Sequence, residues 1–290
     1  MNLILKNKFG DSAEIDLSSG GAITKLLIDG ETLIKYPLKE NDKKKGYPSA
    51  VLFPFPNRIK DGKYEFENIE YSLEINDIES HNAIHGLVAF ETFELISHTE
   101  TKAICKFTYK GYNVGYPFPF DISLTYSLKR KSLSFSVEII NTGETNMPYG
   151  FGWHPYFGFS DESITGMTLK VPNRKNLELN DRFLPTSEFK IEKEEKISLK
   201  NTMLDNVYQL ENVQTVSEVI LKWKKKELKV SQKTGKDKLN YLVLSMPSSR
   251  DCIAIEPQTC STDAFNNGDG LLILKKGKKT KFDITVSMQG

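Results

Sequence analysis

Apolar and polar residues alternate at every second position along most of this chain of 290 residues. The clearest instance has apolar residues at positions 124, 126 and 128, a polar turn at 129–132, and apolar residues at 133, 135, 137 and 139. Because successive side chains of a β-strand point to opposite faces of a sheet, this pattern predicts an antiparallel hairpin with one buried face. Similar patterns predict hairpins over 64–75 and 93–109, and strands over 228–230, 241–244, 271–274 and 284–288.

Turn residues separate these segments, which indicates strands of moderate length joined by tight reversals. Asp-Gly pairs at 29–30 and 61–62 and a Lys-Gly pair at 276–277 lie where such reversals are needed, and glycine accepts the positive φ that they require. Helical periodicity is nearly absent, and its best instance, residues 203–210, is too short to carry an architecture.

An all-β fold is therefore predicted, in which the strands form a large antiparallel β-sandwich, either as two sheets or as one sheet rolled over itself. Apolar residues make up 39% of the chain, with 17 Phe and 12 Tyr, so there is enough material for a large core. No composition shift and no linker rich in Pro, Gly or Ser divides the sequence. We expect residues 1–290 to form a single domain, since β-sandwiches run to about 250 residues as one core.

The charge balance argues against polyanionic partners. Lys and Arg total 39 against 38 Asp and Glu, a formal net charge of +1, so neither nucleic acid nor an anionic membrane is expected as a partner. Basic residues cluster at 222–226 and 275–279, where hairpin turns are predicted, and we interpret both clusters as solvated turns. A small neutral ligand fits this composition better.

Neither a signal peptide nor a membrane span is predicted. Residues 1–9 alternate polar with apolar side chains and contain no apolar core of signal-peptide length, so a cytoplasmic protein is expected. No run approaches the ~18 apolar residues that span a bilayer. The cysteines, Cys105, Cys252 and Cys260, show no Cys-x-x-Cys spacing, which argues against disulfides and structural zinc and predicts reduced thiols.

Four irregular segments interrupt the strand pattern, and each contains polar groups that a sandwich core does not need. In residues 53–59 (FPFPNRI), two prolines stiffen the backbone that presents Asn57 and Arg58, although an ordinary exposed arginine is the alternative. In residues 81–86 (HNAIHG), His85 precedes a glycine, which lets the backbone approach a ligand while the imidazole donates a hydrogen bond. A His-x-x-x-His metal site is disfavoured, because this segment is typical of a loop rather than a helix.

The other two segments contain a histidine and a carboxylate. Residues 147–157 (MPYGFGWHPYF) form the densest aromatic cluster and include His154. Rings beside an imidazole suit a sugar, whose C–H face packs on aromatic rings while its hydroxyls need polar edges; a histidine buried in the core is the alternative. In residues 251–259, Glu256 follows a stretch typical of a buried strand end, where an unpaired carboxylate is costly unless a partner or a function holds it. Asp205 is a weaker candidate, which a turn or cap would also explain.

Taken together, these segments resemble the ordered signature of the aldose 1-epimerase, or galactose mutarotase-like, family. The resemblance runs from about residue 50 to the carboxyl end and rests on NRI at 57–59, HG at 85–86, HPY at 154–156, LD at 204–205, EPQ at 256–258 and DA at 263–264. It implies a supersandwich of antiparallel strands with an open sugar cleft. It also implies an isomerase that interconverts the α and β anomers of a hexose without a metal or other cofactor.

The resemblance implies a role for each matching residue. The general base falls on Glu256 and the general acid on His154, while the substrate-binding positions are Asn57, Arg58, His85, Tyr156 and Asp205. We expect the two catalytic groups on opposite sides of one sugar-sized hollow. His154 must hold a proton to act as the acid at neutral pH, and we expect nearby Glu256 to favour its charged form.

Several alternatives remain open from the sequence. After Gly86 the chain continues LVAFE, without the Gly- and Trp-rich run typical of galactose mutarotases, so the sugar is not specified. A hexose-6-phosphate mutarotase is one alternative, but the small number of arginines favours a neutral sugar. A noncatalytic carbohydrate-binding protein is another, and a third is a glycoside hydrolase that uses Asp205 with Glu256, since such enzymes need two carboxylates. A monomer and a homodimer are both compatible with the sequence.

Overall fold

A computed structural model describes residues 2–34, 46–211 and 215–290, and it confirms an all-β fold built from antiparallel sheets. Within these ranges the strands are numbered β1 to β27 in chain order, and short helical turns occur at Ile164–Gly166 and Ala264–Asn267. Two large sheets carry most of the strands, and two-stranded ribbons complete the described part.

The larger sheet has twelve strands in the described residues, and most of them follow one another in a continuous path. In order across the sheet these are β1 (Asn2–Lys6), β2 (Ser12–Asp16), β3 (Ala22–Ile28), β4 (Glu31–Ile34), β16 (Tyr156–Phe157), β25 (Ile253–Gln258), β24 (Tyr241–Ser245), β21 (Asp205–Leu210), β18 (Arg174–Leu179) and β19 (Pro185–Glu192). The other two strands branch from β25, first β15 (Gly152–His154) and then β5 (Ala50–Leu52). This branch brings distant parts of the chain together beside β25.

The second sheet has nine strands in the same described ranges. In order these are β10 (Glu94–His98), β11 (Lys102–Tyr109), β12 (Phe120–Lys129), β13 (Ser132–Asn141), β27 (Lys279–Gln289), β23 (Lys226–Lys233), β22 (Val216–Trp223), β17 (Thr168–Val171) and β20 (Glu195–Ser198). The ribbons pair β6 (Arg58–Lys60) with β9 (Asn82–Ile84), β7 (Lys63–Phe66) with β8 (Ile69–Ser72), and β14 (Met147–Tyr149) with β26 (Leu272–Leu274).

The two large sheets share one apolar core. Alternate residues of β12 and β13 are buried, including Leu124, Tyr126 and Phe135, as the alternation in the sequence predicts. These side chains belong to the same core cluster as Ile253 and Ile255 of the larger sheet. Because burial of apolar surface stabilises a fold by about 25 cal/mol per Å², this shared core is what holds the two sheets together.

The predicted hairpin of β12 and β13 is confirmed, with Leu124 opposite Val137. Lys129 and Ser132 still pair across the strands, so the turn is shorter than the predicted segment 129–132. Lys131, the second residue of this turn, has a positive φ of 57°.

The turns predicted at the two Asp-Gly pairs are also confirmed, whereas the one segment with helical periodicity does not form a helix. The Asp-Gly pairs at 29–30 and 61–62 have positive φ at both residues, as tight reversals require. Residues 203–210, the best helical candidate in the sequence, instead contain β21, which is hydrogen-bonded to β18 on one side and β24 on the other. Pairing on both edges outweighs the weak local preference for helix.

The cysteines and the basic clusters lie as predicted. Cys105, Cys252 and Cys260 are all within the described ranges, where they are buried and form no disulfide. The cluster at 222–226 lies at the turn between β22 and β23, and the cluster at 275–279 lies between β26 and β27. In the part of the chain that the structure describes, no helix has the length and apolar character needed to cross a membrane.

Candidate functional site

The central strand β25 places Glu256. Ile253 and Ile255 of this strand belong to the main core, so the alternate side chains of Glu256 and Gln258 lie on the opposite face of the larger sheet. Val243 of β24 pairs directly with Glu256. Glu256 is only 2% exposed although it borders an open cleft, so the prediction of a carboxylate on a buried strand is confirmed.

The short strand β15 places His154 beside Glu256. Gly152 pairs with Gln258 of β25 on one side and with β5 on the other. A Cβ at Gly152 would lie 2.8 Å from Cβ of Pro56 and 3.1 Å from Cγ of Gln258, so only glycine allows this close approach. The pairing draws β15 against β25 and brings His154, which follows on the same strand, to Glu256.

The imidazole of His154 and the carboxylate of Glu256 are in contact. Nε2 of His154 lies 3.3 Å from Oε1 of Glu256, and Nε2 of Gln258 donates a hydrogen bond of 3.1 Å to Oε2 of Glu256. The expectation that the two groups lie on opposite sides of the hollow is wrong, because their strands are hydrogen-bonded neighbours in one sheet. They lie side by side in one wall of the cleft.

Burial controls the charge of both groups. It lowers the pKa of His154 from 6.5 to about 4 and raises the pKa of Glu256 from 4.5 to about 8. The hydrogen bond from Gln258 offsets part of the shift at Glu256. The expectation that Glu256 keeps His154 charged is therefore wrong, because the loss of hydration around both groups outweighs their mutual attraction. Between about pH 4 and about pH 8 the pair holds one proton, which burial favours on the carboxyl.

His85 lies against His154 in the same wall. Their rings meet edge to face, with centroids 5.2 Å apart. The backbone N–H of His85 donates to the carbonyl oxygen of Asn57 at 2.9 Å, and both residues have positive φ. At Gly86 an added Cβ would lie 2.3 Å from the carbonyl oxygen of Phe53, so glycine allows this segment to pack closely on the backbone of Phe53. Its predicted approach to a ligand stays a prediction. Burial, followed by the proximity of His154, lowers the pKa of His85 well below its ordinary value, so His85 is neutral near pH 7.

Arg58 of β6 borders the cleft with its guanidinium held by several neighbours. Nε donates to Oδ2 of Asp77 at 2.7 Å, and Nη1 donates to Oδ1 of Asn57 at 3.4 Å. The guanidinium also lies 4.4 Å from the centroid of the Phe183 ring. Arg58 is thus not an ordinary exposed arginine, since its side chain is largely buried and fixed in direction.

Tyr156 and Asp205 complete the predicted set. The ring of Tyr156 packs on that of His154 with centroids 5.2 Å apart, and its hydroxyl donates to the carbonyl oxygen of Gly46 at 3.1 Å. Burial, followed by the charge of Glu256, raises the pKa of Tyr156, so the phenol keeps its proton. Asp205 begins β21 with its side chain exposed at the cleft, so neither a turn nor a helix cap accounts for it.

Three further residues of the site were not predicted from the sequence, although one of them, Gln258, lies within the EPQ motif. Asp77 accepts the hydrogen bond of Arg58, Gln258 donates to the buried carboxylate, and the ring of Tyr47 packs edge to face on His85 at 4.6 Å. Gln258 could have been found, because it lies two positions after that carboxylate on one strand and therefore shares its face. Asp77 and Tyr47 carry no such signal, since both lie outside the named strands.

All the residues predicted for the site border one cleft of about 890 Å³: Asn57, Arg58, His85, His154, Tyr156, Asp205 and Glu256. This volume lies within the ~300–1,000 Å³ typical of small-molecule sites. Within the described residues, no group of three or more His, Cys, Asp or Glu side chains is arranged to hold a metal ion. The arrangement can move protons to and from a polar ligand of the size of a sugar.

Known proteins share both the sequence pattern and this architecture. The family described as Aldose 1-epimerase matches residues 3–287. The Escherichia coli (strain K12) protein YihR, described as uncharacterized, is 29% identical over 277 residues, which cover 93% of this chain and 88% of YihR.

Two solved structures show the same fold. A galactose mutarotase-like protein from Clostridium acetobutylicum has a TM-score of 0.84 at 22% identity, with 97% of this chain and 93% of that chain covered. The galactose 1-epimerase from Lactobacillus acidophilus NCFM has a TM-score of 0.83 at 18% identity, with 99% and 94% covered. The fold is therefore galactose mutarotase-like. Since the family match spans nearly the whole sequence, this chain belongs to the aldose 1-epimerase family.

Proposed function

We propose that this protein is an aldose 1-epimerase, which interconverts the α and β anomers of a hexose by acid/base opening and closure of the pyranose ring. The observation that carries the proposal is the 3.3 Å contact between Nε2 of His154 and Oε1 of Glu256 in the wall of a sugar-sized cleft. Such a contact places a proton donor and a proton acceptor within reach of two oxygen atoms that are bonded to the same carbon of a sugar. We further propose that the chain acts as a single domain and needs neither metal nor other cofactor.

Contact between the acid and the base suits anomer exchange better than an arrangement across the cleft. The hydroxyl oxygen and the ring oxygen that exchange protons are both bonded to C1 of the sugar, so they are close neighbours. One protein group removes the proton of the C1 hydroxyl while the other protonates the ring oxygen, and the bond between C1 and the ring oxygen breaks. Rotation about C1–C2 in the open-chain aldehyde, followed by the reverse transfers, yields the other anomer.

The number of protons on the pair is the same before and after ring opening. We assign Glu256 as the base and His154 as the acid, so the reactive form is a carboxylate beside an imidazolium. Because burial favours the proton on Glu256, that proton must first move across the 3.3 Å contact to His154, which forms an ion pair. Sugar hydroxyls that hydrogen-bond to this ion pair would stabilise the charged form. Ring opening returns the pair to a carboxylic acid and a neutral imidazole, which is the form that burial favours.

We propose a neutral aldose rather than a hexose 6-phosphate as the substrate. Among the described residues that border the cleft, Asp77, Glu79, Glu91 and Asp205 are acidic, whereas Arg58 is the one cation near pH 7 because burial keeps both histidines neutral. Arg58 already donates to Asp77. A phosphate group would therefore meet a lining of like charge.

Exchange spectroscopy by NMR on a panel of free and phosphorylated aldoses tests this proposal. The purified protein should accelerate the exchange of α and β anomers for at least one free hexose, and far less for the 6-phosphate of the same sugar. Binding without acceleration would identify a noncatalytic carbohydrate-binding protein, and release of new reducing ends from a glycoside would identify a hydrolase. No acceleration of any aldose on the panel would refute the proposal.

A further inference from the structure

A second cavity, of about 340 Å³, adjoins the cleft at Asp205, which borders both spaces. It lies at the end of β18, where the pairing with β19 shifts in register between Leu177 and Leu179. Polar side chains line it, among them Asn176, Glu178, Lys190 and Asn206. Amide and charged groups of this kind hydrogen-bond to sugar hydroxyls, so the second cavity is also suited to a carbohydrate.

An aromatic ring stands at the boundary between the two cavities. Phe183 borders the second cavity, and its ring lies 4.4 Å from the guanidinium of Arg58, which borders the first. Phe183 has a φ of 56° and is 37% exposed. A positive φ is strained for a bulky residue and persists only where the surrounding structure enforces it. Phe183 thus adds an aromatic ring to the lining of the second cavity, and the C–H face of a pyranose can pack on such a ring.

The turn that carries Phe183 is held in place by the residue before it. Nε of Arg182 donates to the carbonyl oxygen of Ser80 at 2.9 Å. Nη2 of Arg182 donates to Oδ1 of Asp61 at 2.7 Å and to the carbonyl oxygen of His81 at 2.8 Å. These bonds tie the turn to the segment that leads into β9 and to the turn between β6 and β7, so the backbone that carries Phe183 is held without a ligand. Preorganised rings of this kind bind ligands at low entropic cost.

We propose that the second cavity binds the next ring of a reducing disaccharide or longer oligosaccharide. The reducing-end ring then lies in the first cleft, against the wall that contains His154 and Glu256. This inference rests on the proposed function, because the reducing end is the ring that opens. Asp205 lies between the two rings and accepts hydrogen bonds from the hydroxyls of either one. Phe183 supplies the stacking surface for the second ring. A monosaccharide contacts the first cavity alone.

The ratio of kcat/KM for a disaccharide to kcat/KM for its reducing-end monosaccharide is the measurement that tests this inference. Disaccharides of glucose and galactose with 1→4 and 1→6 linkages form the panel, and exchange is followed by NMR. For at least one of them we expect a ratio of about 10 or more in the unmodified protein. For Phe183→Ala we expect that ratio to fall about 10-fold, or about 1.4 kcal/mol, because the second ring loses the aromatic surface on which it packs. Using a ratio cancels any effect that Phe183→Ala transmits to Arg58.

Two further variants distinguish a specific loss of the second cavity from a general loss of folding. Phe189→Ala removes an exposed phenylalanine of β19 that borders neither cavity, and it should leave the ratio unchanged. Glu178→Trp fills the second cavity from an exposed position of β18, and it should lower disaccharide exchange about 10-fold while monosaccharide exchange continues. Thermal unfolding of each variant verifies that it is folded.

The outcomes separate this inference from the proposed function. Monosaccharide exchange with no preference for any disaccharide, and with ratios unchanged in Phe183→Ala and Glu178→Trp, overturns the inference and leaves the function intact. If the protein accelerates the exchange of anomers for no sugar, the proposed function fails. Titrations of the protein with each sugar, followed by NMR, then decide the inference. The disaccharide should then bind about 10-fold more tightly than the monosaccharide, and only in proteins with Phe183 present. Equal affinities overturn it.

Discussion

Nε2 of His154 lies 3.3 Å from Oε1 of Glu256, although the two residues belong to strands that are far apart in the chain. Both side chains are buried, and Gln258 holds the carboxylate by a hydrogen bond. Burial favours the neutral form of each group, so the pair holds one proton over a wide range of pH. The contact places a proton donor beside a proton acceptor, and burial sets the pH range over which the pair holds one proton.

Removal of either member of the pair should abolish most of the anomer exchange. We expect Glu256→Gln and His154→Asn each to lower kcat at least ~100-fold, because a positioned acid or base contributes ~10²–10⁴-fold. Polarimetry of a freshly dissolved anomer, or NMR exchange, measures the rate. His98→Asn and Glu188→Gln change exposed residues of β10 and β19 and serve as matched controls with unchanged rates. Near-normal exchange in either site variant would refute the assignment.

The pH dependence of kcat/KM should follow the two pKa values of the pair. Below about pH 4 both groups are protonated and no base remains, whereas above about pH 8 both are deprotonated and no acid remains. We therefore expect kcat/KM to rise through about pH 4, to stay level, and to fall through about pH 8. NMR exchange from pH 3 to 10, with the uncatalysed rate subtracted at each pH, gives the profile. A fall centred near pH ~6.5, the ordinary pKa of histidine, would contradict the control of His154 by burial.

Much of the fold could be predicted from the sequence because alternation records which face of a strand is buried. In β12 and β13 the alternation is unbroken, so the sequence predicts their pairing as a hairpin. β25 shows no alternation, since all of its residues are buried, and its site-bearing face could be predicted only from the position of Glu256 in a motif. Buried strands lose the pattern that identifies their faces.

The grouping of the candidate residues around one cleft could be predicted, but their geometry could not. The distance between His154 and Glu256 depends on the pairing of Gly152 with Gln258, which is a contact between distant segments that no local pattern encodes. The direction of their pKa shifts depends on the depth of burial, which also arises only on folding. The pairing of Arg58 with Asp77 is hidden for the same reason.

Loss of the carboxylate at Asp77 should weaken substrate binding through Arg58. Asp77 accepts a hydrogen bond of 2.7 Å from Nε of Arg58 and thereby fixes the direction of the guanidinium. We expect Arg58→Ala to raise KM about 10-fold, since a hydrogen bond to a charged group contributes about 1.5 kcal/mol, and Asp77→Asn to raise it less. In both variants kcat should change much less than KM, and Asp77→Asn should add little to Arg58→Ala in the double variant. Steady-state kinetics measures both parameters, and additive effects in the double variant would show that Asp77 acts independently of Arg58.

Replacement of Glu256 by a neutral amide should stabilise the protein at high pH while it removes activity. Because burial raises the pKa of Glu256 to about 8 in the folded protein, this group stabilises the fold while it is protonated, and that contribution is lost as the pH rises from 4.5 towards about 8. Glu256→Gln has no charge to bury. We therefore expect it to melt above the unmodified protein at pH 9, by an amount equivalent to at least ~1 kcal/mol, and the difference should shrink towards pH 5. Calorimetric melting temperatures at pH 5, 7 and 9 test this, with Glu188→Gln as the exposed control. If the difference in melting temperature were the same at all three pH values, the carboxyl of Glu256 would have an ordinary pKa, and the one-proton state of the pair would not extend to pH 8.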